Sequence, residues 1–117
     1  MSMLTAHHLN AFLLIAVCVL ASAAAFWARR RRAGRTVAQL LALAQTLLVA
    51  QVGLGLLLLS DHRRAHDHLH YAYGTLALLA VLSPWLYAPD EPRARLLWFA
   101  IATALAAALG VRAWMTA

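Results

Sequence analysis

The chain contains no lysine, one cysteine and only four acidic residues, and each shortage excludes something. With Cys18 alone, neither an intrachain disulfide nor a cysteine-built zinc or iron–sulfur centre can form. Its place within an apolar run makes it a small buried hydrophobe. None of the acids Asp61, Asp67, Asp90 and Glu91 lies inside an apolar run, which argues against a proton-coupled transporter. There is no Gly-rich phosphate loop and no Ser/His/Asp set at diagnostic spacing. The want of lysine accompanies abundant Ala, Leu and Arg, as GC-rich coding produces, and carries no function.

What is present is apolar surface. Hydrophobic residues make up 64% of the 117 and charged residues 12%, against about 45–50% and about 25% in soluble domains. One domain of this length has no core large enough to hide so much, and lipid is its natural solvent. The formal charge of +6 comes from ten arginines. They sit in short connections between apolar runs, where the positive-inside rule explains them better than nucleic acid does.

A membrane-spanning helix needs about 20 mostly apolar residues, and four such runs occur, at 9–28, 37–59, 69–87 and 96–115. Phe26, Trp27, Trp85, Tyr87, Trp98 and Trp114 stand near their ends as interfacial anchors. Thr36 is the expected N-cap of the second run. Pro89, Asp90, Glu91 and Pro92 form a turn that no helix continues through. Ala21-Ser22-Ala23 has the form of a signal-peptidase site. However, no basic residue precedes the first run, the run is too long, and Arg29–Arg32 follow it as a stop-transfer cluster. The segment is therefore expected to be retained.

The expected fold class is all-α, an integral membrane four-helix up-down-up-down bundle. Loops 29–35 and 93–95 share one side and most of the arginine, so that side is expected to be cytoplasmic, at a plasma membrane. Both termini and the connection after residue 59 then lie on the outer face. Ala100, Ala104 and Ala108, and likewise Ala102, Ala106 and Gly110, repeat at four-residue spacing, which allows close helix approach in lipid. Gln51 is costly in hydrocarbon unless partnered, so it should face other helices, as an interhelical hydrogen bond or a cofactor contact.

All six histidines, His7, His8, His62, His66, His68 and His70, then collect at the outer face. His66 and His70 share a helix face with Tyr73 and Ala77, while His68 points elsewhere. His70 lies about one turn inside the third helix, and His8, just before Leu9, matches its depth on the first. Two histidines at equal depth on two helices of one bundle meet the requirement of a bis-imidazole haem site. Arg63 and Arg64 suit its propionates. The competing reading is a solvated loop with amphipathic imidazoles at a membrane interface. A zinc or copper site at His62, His66 and Asp67, or a pH-sensing cluster there, is a weaker alternative.

The succession of His8, an apolar helix, a basic loop, Gln51-Val52-Gly53-Leu54-Gly55 and His68-Leu69-His70-Tyr71-Ala72 resembles one four-helix half of a haem A synthase. The likeness runs from about His7 to Leu82. It implies a b-type haem ligated by His8 (or His7) and His70 (or His68). That family has two such halves, and the outer loop bearing its catalytic glutamate has no counterpart here. The resemblance therefore implies a haem fold more than haem A synthesis, and small bis-histidine cytochromes b share the pattern.

The leading expectation is a haem b-binding membrane protein that transfers electrons or anchors a larger respiratory complex. The alternative is a cofactor-free accessory subunit. An enzyme acting by itself ranks third. Short loops leave no extramembrane domain to act alone, so a larger membrane complex is an expected partner under either reading.

Overall fold

The computed structural model describes residues 2–28, 35–62 and 68–116, and among them every regular element is helical. The elements are α1 (Met3–Ala28), α2 (Arg35–Ser60), α3 (Leu69–Leu82), α4 (Pro84–Tyr87) and α5 (Pro92–Met115). α3 and α4 form one continuous rod. Pro84 deprives the carbonyl four residues back, that of Ala80, of its N–H donor. The Ser83 hydroxyl donates to that carbonyl at 2.8 Å, while the Ser83 N–H keeps its bond to Leu79 O at 2.9 Å. Counted this way, four helices are long and apolar enough to cross a membrane. The 26 residues of α1 reach about 39 Å, against a hydrocarbon core of about 30 Å.

Helix ends depart from the expected runs for local reasons. α1 starts at Met3 rather than residue 9 because Ser2 caps it, its hydroxyl accepting the Thr5 N–H at 3.1 Å. His7 and His8 thereby lie within a helix instead of ahead of one. α5 starts at Pro92 rather than residue 96. Glu91 caps it through bonds from Ala94 N–H (2.7 Å) and Arg93 N–H (3.1 Å), with Pro92 at the first helical position. α2 already includes Thr36, the expected cap. Beyond Ser60, His62 turns left-handed (φ 61°) and donates its N–H to Leu59 O at 3.1 Å, closing the helix.

The four rods pack two by two. α1 packs on α2 and α5, and α3 packs on α5 and, more briefly, on α2, so α1 and α3 face each other across a diagonal. A cross-section of 26 × 19 Å fits two helices by two at axial distances of about 10 Å. The seam of α2 runs in alternating steps of four and three: Val37, Leu41, Ala44, Leu48 and Leu58 are buried, with Gln51 and Gly55 completing the series. Alanines set the closest approaches, since Ala21, Ala25, Ala44 and Ala100 are wholly buried.

The two small-residue rows of α5 do not behave alike. Ala102 and Ala106 are buried, with Gly110 near Ile15, whereas Ala104 and Ala108 are exposed and only Ala100 of their row is buried. Rows two residues apart lie about 200° apart round a helix, so both cannot face inward throughout. Deep in the α1–α5 contact the Ser22 hydroxyl donates to Ala100 O at 2.8 Å. Thr103, fully buried, has no partner for its hydroxyl among the described residues. Large apolar side chains instead cover the outside, including Phe12, Leu20, Leu56, Leu79 and Leu86.

Candidate functional site

One end of the bundle gathers the N-terminal parts of α1 and α3 and the C-terminal parts of α2 and α5. His7 and His8 come from α1, Gln51 and Gly55 from α2, His70 from α3, and Ala113 and Trp114 from α5. The described arginines of the expected cytoplasmic loops, Arg35, Arg93 and Arg95, belong to the opposite helix ends. There Arg95 lies 5.4 Å from the Trp85 ring and 5.3 Å from that of Phe99, and Trp85 Nε1 donates to Gln45 Oε1 at 3.0 Å.

Across the diagonal, the His7 and His70 rings stand 6.2 Å apart between centroids, edge to face at 73°. His70 Nδ1 lies 2.6 Å from Ala113 O. A carbonyl can only accept, so His70 carries a proton on Nδ1, and in the neutral ring the lone pair is on Nε2. His7 is half-buried, with Nε2 at 3.4 Å from the Gln51 amide nitrogen and a buried Nδ1 that has no partner among the described residues. Gln51 also accepts from Asn10 Nδ2 at 2.9 Å, and Asn10 Nδ2 donates to Leu47 O at 3.1 Å. Gly55 makes the room for His7: a Cβ there would lie 3.3 Å from His7 Cε1.

The residues expected from sequence divide accordingly. His70, His7 and Gln51 come together, and Gln51 faces a neighbouring helix as its cost in hydrocarbon demands. His8 does not meet His70. One residue on from His7, about 100° round the helix, it is exposed and lies 5.6 Å from the Trp114 ring, which Phe12 approaches to 4.3 Å. His68 is exposed, its ring 6.3 Å from that of Tyr71. His62 is exposed at the end of α2. Arg63, Arg64, His66 and Asp67 lie outside the described residues.

Two contributors were not expected. Asn10 sits inside an apolar run whose average conceals it, although an amide in hydrocarbon was signal enough. Ala113 contributes a backbone carbonyl, which no side chain announces. Among the described residues no three His, Cys, Asp or Glu side chains converge to hold a metal ion. What remains is a pair of imidazoles, His7 and His70, facing each other across the bundle. No protein-family profile, curated protein or solved structure matches the chain.

Proposed function

We propose that the chain is a small integral membrane subunit that binds haem b between His7 and His70 and transfers electrons, or anchors the assembly, within a larger respiratory complex. The observation that supports this reading is the separation of the two rings across the bundle, 6.2 Å. His7 and His70 would be the residues that hold the group, since each brings an imidazole from a different helix to the same end of the bundle. His70 suits the role because its Nδ1–H is fixed on a carbonyl, as metal-bound histidines commonly are. His7 would suit it because the contact of Nε2 with the Gln51 amide nitrogen, at 3.4 Å, is long and readily given up. Haem, when bound, supplies one-electron redox chemistry. The residues around it hold the rings, and Arg63 and Arg64 are the proposed partners of the propionates. His8 and His68 stand in reserve as ligands.

In this proposal the four long helices cross the plasma membrane with loops 29–35 and 93–95 in the cytoplasm. Both termini and the histidines lie outside. Impermeant labelling of a cysteine at position 116 from the cytoplasmic side would overturn that orientation. The deciding experiment for the cofactor is the optical spectrum of the purified protein. A Soret band is expected, and its absence sinks the haem reading.

A second reading has its own support. Asn10, Gln51 and His7 bond α1 to α2 without any ligand, as a cofactor-free accessory subunit would use interhelical polar contacts. The same spectrum separates the two readings.

A further inference from the structure

The polar chain that ends on His7 has a direction, and that direction fixes where the ring carries its proton. It begins at Leu47 O, which can only accept, so the nitrogen of the Asn10 amide must face it. The same Nδ2 supplies its second hydrogen to Gln51 Oε1 at 2.9 Å. With its oxygen turned to Asn10, Gln51 presents its NH2 group to His7 Nε2. An amide nitrogen does not accept hydrogen bonds, so in the neutral ring Nε2 must hold the lone pair and Nδ1 the proton. His70 reaches the same tautomer by a different route, through Ala113 O.

We infer that Asn10 is a positioning residue: acting through Gln51, it locks His7 in the tautomer that leaves Nε2 unprotonated. The lock is a property of this polar chain alone. Its use, delivery of a second ligand-ready imidazole opposite His70, rests on the haem reading above. Beyond joining α1 to α2, an ordered donor sequence selects one of two nearly equivalent ring states. Nδ1, which has no hydrogen-bond partner among the described residues, would then carry the proton.

The test is nitrogen-15 NMR of the ring nitrogens in the full chain, haem-depleted and held in lipid nanodiscs. In the wild type, His7 and His70 are both expected as Nδ1–H. His7 found as Nε2–H overturns the inference. Gln51→Glu keeps the Asn10–Leu47 bond but offers His7 only acceptors, so His7 is expected to reverse to Nε2–H while His70 stays unchanged. Asn10→Asp should reverse it too, since Gln51 must then turn its NH2 group to the carboxylate. Should Asn10→Asp misfold beside Leu47 O, Gln51→Glu still decides. A His7 tautomer indifferent to the folded variants overturns the lock. Where the wild type retains haem, Gln51→Glu is expected to retain severalfold less after detergent washing. A wild type without a Soret band but with the expected NMR pattern removes the haem reading and leaves the lock standing.

Discussion

Gly55 of α2 and His7 of α1 are matched in space: a methyl group on Gly55 would sit 3.3 Å from His7 Cε1. That is tighter than ordinary carbon contact, so the ring or the helix pair must give by a few tenths of an ångström. Gly74 of α3 offers the contrast, with nothing within 4 Å of its added Cβ. Alanine in a helix interior is favoured over glycine by about 0.5–1 kcal/mol. Gly74→Ala is therefore expected to raise stability by about that amount and, if the chain binds haem as proposed, to leave its content unchanged. Gly55→Ala should gain less stability, or none, and lower haem retention. Unfolding curves in mild detergent, read with the Soret absorbance, check both; equal behaviour of the two variants would break the link between Gly55 and His7.

The neighbouring histidines His7 and His8 supply a sharper comparison. His7 faces His70 across the bundle, and His8 lies exposed beside Trp114. If the chain binds haem as proposed, His7→Ala and His70→Ala are each expected to abolish most of the haem signal, and His8→Ala to preserve it. Loss of haem in His8→Ala with retention in His7→Ala would reverse the assignment of the axial pair.

Two buried hydroxyls of the bundle interior have opposite standing. Ser22 donates to Ala100 O, whereas Thr103 has no partner among the described residues. Interhelical hydrogen bonds in membrane proteins contribute about 0.6 kcal/mol on average, so Ser22→Ala should cost roughly that. Thr103→Val replaces an unsatisfied hydroxyl by a methyl group of the same shape and is expected to stabilise by about 1 kcal/mol. Thermal or denaturant unfolding in detergent measures both signs. A destabilised Thr103→Val would reveal a partner for that hydroxyl.

These residues also mark how far the sequence could be read. The cost of an amide in hydrocarbon was enough to place Gln51 against a neighbouring helix, while the seam of α2 from Val37 to Leu58 is hidden among equally apolar neighbours. Choosing between His7 and His8 needed the phase of α1 relative to its neighbours, and hydropathy places a run without giving its phase. The Ser2 cap, which brings both histidines inside the helix, was visible as a small polar residue but lay outside the apolar run. Asn10 vanished into the average of that run. Ala113 O was beyond reach, because a carbonyl's role depends on which helix end lies opposite it.

Glu91 carries the one pH dependence that these helix ends define. Its carboxylate accepts the N–H groups of Ala94 and Arg93, and these bonds, Ala94 first, hold it below the usual carboxylate range. A depressed folded-state pKa means that the unfolded chain takes up the proton first as the solution is acidified. The cap's contribution is therefore complete above the ordinary glutamate pKa, about 4.3, and is lost as the pH falls through the lower folded value. Stability of the wild type should decline in acid over that window. Glu91→Gln should show a smaller decline, because its amide oxygen still caps the helix without titrating. Unfolding measured from near neutral pH down to about 3 in one detergent compares them, and parallel curves would show that the Glu91 cap does not contribute to the acid response.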